Sequence, residues 1–331
     1  MRLVTPGRLL ALGAVLLAVA FALYVIPSNE YIFLPDKAHP VAPLVTVQGG
    51  HDPVHGGVYF VDVIVRKATI LEKLFGGLHK GADLYPASAV DPPGVGDQQR
   101  RRIDLQDMAH SQQVAAAVAL RAAGKHVVLR SIGALIDEIA PGFPAVGKLE
   151  PDDVIVAIDG KQVRSRNDVF TAMSSHKIGE TVSFTVRRGK QTLVERIRTV
   201  SSGGKPPRPI VGVVVETAVD IHLPLHVSID AGGVGGPSAG LAFAIDVLEE
   251  LGHDVLHGHK VAATGEIEPN GAVLPIGGIK QKTIGAREAG VDAFLVPAGE
   301  NARDARKEAG GLRIIPVESF PQALRALATR R

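Results

Sequence analysis

Residues 231–240 read Ala-Gly-Gly-Val-Gly-Gly-Pro-Ser-Ala-Gly, followed by a mostly apolar run to Leu251. Glycines let the backbone take positive φ and come close to a bound group. Pro237 presets φ for a first helical turn, so a helix is expected from Ser238 to Leu251. The free amides at such a helix start can hold an anion. From this run alone Ser238 has three readings. It is a capping serine, a nucleophile beside an oxyanion site built from Gly235, Gly236, Pro237 and Ala239, or part of a phosphate loop. A phosphate loop calls for Gly-Lys-Ser/Thr, and here the step is Gly-Pro-Ser.

A serine nucleophile needs a base, either a histidine or a lysine desolvated until its amine is neutral near pH 7. Downstream, Thr264-Gly265-Glu266-Ile267 precedes Val273-Leu274-Pro275-Ile276-Gly277-Gly278-Ile279-Lys280-Gln281-Lys282. The Gly-Gly turn leads into a helix carrying both lysines. Two residues apart, they point about 200° from each other and cannot both face one site. Either is otherwise an ordinary solvated lysine.

Taken together, Gly-Pro-Ser-Ala-Gly, Ala-Thr-Gly-Glu-Ile and Val-Leu-Pro-Ile-Gly-Gly-Ile-Lys-Gln-Lys resemble the proteolytic domain of the Lon peptidase family over roughly residues 208–331. The resemblance implies a Ser–Lys dyad with Ser238 as nucleophile, Lys282 as base and Thr264 in support. Lys280 is the second candidate base. In ATP-dependent Lon enzymes the residue three before the nucleophile is acidic; here it is Gly235. His226 falls where several members carry a histidine. The resemblance further implies polypeptide substrates and a homo-oligomer, a ring of six. The chain contains no Gly-x-x-x-x-Gly-Lys-Ser/Thr run, so no ATP and no cofactor are expected.

Working toward the N-terminus, Ser201 to Pro207 is a Ser/Gly/Pro linker. Before it, residues 126–200 resemble a bacterial PDZ domain through Ala140-Pro141-Gly142-Phe143-Pro144-Ala145, Gly147 to Ile155, and Ile158 to Val163. Asp152 stands where such domains usually carry glycine. PDZ domains bind extended peptides by strand addition, and the carboxylate loop is expected at Ser131-Ile132-Gly133-Ala134. That stretch also reads as a plain strand connection. Residues 45–125 are expected to pack on the peptidase domain, and residues 27–44 to form a spacer without clear periodicity.

Leu9 to Ile26 carries no charge over eighteen residues, nearly the length that spans a ~30 Å hydrocarbon core. Arg2 and Arg8 precede it; Glu30, Asp36 and Lys37 follow. The expectation is a single-pass transmembrane helix at 9–26, residues 1–8 cytoplasmic and the catalytic domain outside. A cleaved signal peptide, cut after Ala20 or Ala22, is the other reading.

Composition limits the remaining classes. The chain has 331 residues, a net charge of +2 and no cysteine, which excludes disulfides, thiol nucleophiles and Cys-ligated metal. No basic stripe argues for nucleic acid. His253, His257 and His259 form a His-x-x-x-His-x-His cluster without a further evident ligand, so no metal site is expected. The expected architecture is α+β: an N-terminal transmembrane helix, a small PDZ barrel-like domain and a C-terminal α+β proteolytic domain. The expected function is ATP-independent endopeptidase activity on exported or membrane proteins, with the PDZ domain selecting substrates. The rival reading is a catalytically silent PDZ scaffold or sensor at the membrane.

Overall fold

The computed structural model describes residues 6–51, 56–90, 97–204 and 206–329. Arg2 lies outside these residues. The chain forms two compact units, Met1–His126 with Leu223–Arg331, and Val127–His222.

The first unit is built on a five-stranded sheet. Its order is His39–Pro40, Gly57–Phe60, Lys260–Ala263, Ala293–Pro297, Arg313–Val317. The last four strands run parallel, and the two-residue edge pairs antiparallel. Strand Ala293–Pro297 is buried throughout, as a parallel strand covered on both faces must be. All eleven residues of the helix Gly240–Glu250 are buried. The helices Ile279–Glu288, Glu300–Glu308 and Phe320–Ala328 complete the α+β pattern. The long helix Asp97–Ala122 packs against Gly240–Glu250 and buries Met108, Val114, Val118 and Leu120. It ends at Gly124, whose φ of +73° and Lys125 N–H to Leu120 carbonyl bond make a left-handed C-terminal cap.

Residues 27–44 are not a featureless spacer. Pro27–Pro35 is the central strand of a three-stranded antiparallel sheet, between Val63–Thr69 and Asp83–Pro86. Its apolar quartet Tyr31-Ile32-Phe33-Leu34, with Tyr31 and Ile32 buried, carries the burial that its bounding prolines obscured.

Pro6–Val25 is helical. Among the described residues no helix is long and apolar enough to cross a membrane, so the expected transmembrane helix is not found. The helix rises about 30 Å over its 20 residues, and its side chains are described from Leu10 on. They are apolar and exposed, Leu10, Leu17 and Phe21 most of all.

The second unit is a sheet ordered Gln191–Arg198, Thr181–Arg188, Val154–Ile158, Val128–Ile139, Val213–His222, with the helix Arg166–Ser174. Strand Thr181–Arg188 buries Val182, Phe184 and Val186 in alternation, the period-2 signature of a one-sided strand. Ser165 and Asp168 cap the helix reciprocally. Arg188 grips the fully buried Asp153 through two 2.7 Å bonds. Asp152 has φ +71°, which explains the glycine usual at that position; aspartate is among the few side chains that tolerate it. Ser131 to Ala134 do not form a loop. They lie within strand Val128–Ile139, where Ser131, Gly133 and Ala134 pair with Val219, Ala218 and Thr217, and Ile132 fills the irregularity between them. Ala134 also pairs with Ile155 on the other side, so the strand is closed on both sides from Ala134 on. The strands at the two ends of this sheet are Val213–His222 and Gln191–Arg198.

Candidate active site

The nucleophile loop is held from two sides. Gly236 has φ +83° and ψ 153°, a conformation that only glycine adopts readily, and it starts a 3₁₀ turn, Pro237–Ala239, that runs into the buried helix. On one side the helix Asp97–Ala122 braces the loop. Its Asp104 carbonyl accepts from the Gly236 N–H at 2.7 Å, and its Ser111 Oγ donates to the Pro237 carbonyl at 2.8 Å. On the other side the Ser238 carbonyl accepts from the Gly265 N–H at 2.8 Å and from Thr264 Oγ1 at 3.1 Å. Thr264 follows the sheet strand Lys260–Ala263, so Ser238 is pinned to the core of the unit.

Gly278, with φ +67°, turns the chain into the helix Ile279–Glu288. Lys282, one turn in, is only 4% exposed. Its Nζ lies 2.5 Å from Ser238 Oγ and 3.4 Å from Thr264 Oγ1. Burial brings its pKa down to about 8, and the negative charge of Asp62 opposes that fall. Lys280 points elsewhere and pairs with Asp83 at 2.7 Å. The structure therefore brings together Ser238, Lys282 and Thr264 and leaves Lys280 out.

Ser238 and Lys282 line a cavity of about 370 Å³ with Asp62, Asp104, Val234 and Gly278. Gly235 and Gly233 also line it. Pro237 brings no N–H, and that of Gly236 is committed to Asp104. His226 lies outside this cavity; its backbone pairs with Gln48. The histidine cluster separates: His257 sits 3.5 Å from Asp254, and His259 is 3.3 Å from Asp292. The described residues that could share a cation are instead Asp36, His39 and Asp62.

Sequence reasoning missed the bracing residues Asp104 and Ser111, and Asp62. Asp104 and Ser111 are single polar positions on a long helix, and their roles rest on contacts more than 120 residues away. Asp62 sits in the β-branched, aromatic run Val58 to Val65, at the break between strands Gly57–Phe60 and Val63–Thr69.

A serine 2.5 Å from a buried, desolvated lysine, with a threonine beside both, is the arrangement that Ser–Lys dyad chemistry requires. Residues 212–329 match the model of the Lon protease (S16) C-terminal proteolytic domain, and residues 106–198 that of the PDZ domain. The chain thus carries a Lon-type proteolytic domain and a PDZ domain. Lon protease 2 of Herpetosiphon aurantiacus is 39% identical over 106 residues, covering 30% of this chain and 13% of that protein. Lon protease of Methanosarcina barkeri is 40% identical over 116 residues, 33% of this chain and 14% of that protein. The mitochondrial Lon protease homolog of Mus musculus is 46% identical over 87 residues, 26% and 9% respectively. The chain spans only about a seventh or less of these relatives. A solved PDZ domain of an SdrC-like protein from Listeria monocytogenes is 24% identical with a TM-score of 0.24, covering 25% of this chain and 87% of that one; at that level it adds nothing to the argument.

Proposed function

We propose that the protein is a serine endopeptidase that cleaves polypeptides without ATP. The observation that carries this reading is the 2.5 Å approach of the buried Lys282 Nζ to Ser238 Oγ. The neutral amine takes the Ser238 proton, and Oγ attacks the scissile carbonyl. The oxyanion donor is narrowed to the amides of Gly235, Ser238 and Ala239. Lys282 returns its proton to the leaving amine, and water then cleaves the acyl-enzyme with the same lysine as base. Thr264 orients the lysine and ties it to the nucleophile loop.

The PDZ unit selects substrates by strand addition. The edge strand Val213–His222 and the helix Arg166–Ser174, joined where the Arg166 N–H meets Thr217 Oγ1 at 3.3 Å, support this assignment. The exposed apolar side chains of the helix Pro6–Val25 support placement at a membrane, with the catalytic unit outside the cytoplasm. Assembly into a homo-oligomer follows from the likeness to Lon proteases. The test is a comparison of proteins stabilised or no longer released in cells carrying Ser238→Ala. Stabilised exported or membrane proteins support the reading; an unchanged profile contradicts it.

A further inference from the structure

The helix Pro6–Val25 is apolar on every face. Val15, Leu16, Leu17 and Val19 are each more than half exposed. Consecutive positions step about 100° around a helix, so a protein partner on one flank could not cover them all. A helix apolar all round belongs in a core or in lipid, and its exposure removes the first.

The end of this helix is tied to a second exposed apolar feature. The Ile70 N–H donates to the Ile26 carbonyl at 3.0 Å, and the helix packs against the short helix Ile70–Leu74. There the chain reads Leu74-Phe75-Gly76-Gly77-Leu78. Leu74, Phe75 and Leu78 are 62%, 58% and 51% exposed. Single exposed apolar residues are ordinary, but three within five residues at a turn make a patch. The turn is firmly held. The Phe75 N–H donates to the Leu71 carbonyl at 2.9 Å, and the Leu78 N–H to the Phe75 carbonyl at 3.0 Å. Beneath it the buried Glu72 accepts from Arg66 at 2.6 and 2.9 Å and from the Thr69 N–H at 2.8 Å, and His79 Nε2 lies 2.7 Å from it. The fold thus fixes the turn while leaving its apolar side chains in solvent. Lys73 and Lys80, both exposed, flank it. Leucine and phenylalanine between lysines suit the boundary between lipid headgroups and acyl chains.

We propose that the turn Leu74–Leu78 is a lipid-contacting surface: Leu74, Phe75 and Leu78 enter the headgroup boundary of a bilayer beside the helix Pro6–Val25. The inference rests on the membrane placement proposed above, and it adds a position for the catalytic cavity. Val63 and Val65 line that cavity, and their strand runs on to Thr69, where the short helix begins. At about 3.3 Å per strand residue and about 1.5 Å per helix residue, the cavity stands within about 30 Å of the lipid. The substrate class that follows is a polypeptide segment close to a membrane surface.

The chain has no Trp, so one introduced tryptophan is a clean reporter. Full-length Phe75→Trp, Leu78→Trp and Phe21→Trp are each reconstituted into phosphatidylcholine–phosphatidylglycerol vesicles, with and without lipid brominated near the headgroup end of its chains. A turn about 5–10 Å into the boundary should lose at least about half its emission to the brominated lipid in both Phe75→Trp and Leu78→Trp. Both positions are exposed, and Leu74→Trp carries the test if either variant does not fold. Quenching of Phe21→Trp with none in the turn variants overturns the lipid-contacting turn and leaves the membrane placement standing. An unquenched Phe21→Trp overturns the placement and this inference with it. Emission from the turn that shifts to the blue with protein concentration, and ignores the bromine, identifies a second copy of the chain as the occupant and overturns the proposal.

Discussion

Replacing Lys282 with methionine is predicted to abolish turnover and yet stabilise the first unit at neutral pH. The lysine lowers its pKa on folding from an ordinary 10.5 to about 8 because its amine is buried. At about 1.4 kcal/mol per pKa unit, that difference costs the folded state about 3 kcal/mol below about pH 8, where the amine is charged in both states. The sign follows from proton counts. Between about pH 8 and 10.5 the unfolded chain holds the proton and the folded chain has released it, so stability rises with pH across that window. Below about 8 both states hold the proton and the full cost applies. Methionine keeps the stem and removes the charge, but gives up the contacts with Ser238 Oγ and Thr264 Oγ1. At about 1 kcal/mol for such a bond, a net gain of about 1–2 kcal/mol remains at pH 7. The assay is native-state hydrogen exchange in urea, read on peptides from the helix Gly240–Glu250, with wild type and variant compared at pH 7 and pH 10 after correction for intrinsic exchange. The variant should be more protected at pH 7, and its advantage should vanish or reverse by pH 10. A variant that is less stable at pH 7, or a gap that does not change with pH, would refute the claim that the lysine is forced toward neutrality.

Other consequences follow from the same geometry. In wild type, kcat/KM should climb about tenfold per pH unit below about 8 and level above it, as read from initial rates on a fluorogenic peptide. Lys280→Ala should leave the plateau within about twofold, because its partner is Asp83 and not Ser238. Thr264→Val should keep the fold and lower kcat by about 10–100-fold, through loss of the hydroxyl that bonds the Ser238 carbonyl and orients the amine. Ser111→Ala should loosen the nucleophile loop by about 1 kcal/mol, seen as faster exchange of the Gly236 amide.

The sequence made legible whatever is written in local pattern or in motif spacing. Strand Ala293–Pro297 is an unbroken apolar run and the helix after Ser238 a mostly apolar one. The Asp159-Gly160 turn was marked by its residue pair, and both residues take positive φ. Ser238, Thr264 and Lys282 were legible because eighteen residues from threonine to lysine and the Gly-Gly turn resembled a known pattern; the run around Ser238 alone left three readings open. What stayed hidden depends on long-range contact. Pro27–Pro35 looked like a spacer because prolines bound it, and its partners, Val63–Thr69 and Asp83–Pro86, lie tens of residues on. Ser131 to Ala134 were expected as a loop from the likeness to PDZ domains, whereas the returning strand Val213–His222 captures them. The membrane helix was inferred from hydropathy, which marks apolar length without saying what the side chains meet. Asp62 was invisible as a site residue since nothing local distinguishes it from a polar position on an edge strand.

The central claim is that Ser238 is a nucleophile driven by Lys282. Its most direct measurement is mass-spectrometric detection of fragments when the full chain is incubated with an unfolded polypeptide and no nucleotide. The account predicts internal cleavage by wild type and no cleavage above background by Ser238→Ala or Lys282→Met. Equal cleavage by the Ser238→Ala form, or an uncut polypeptide after long incubation with folded wild type, would contradict it.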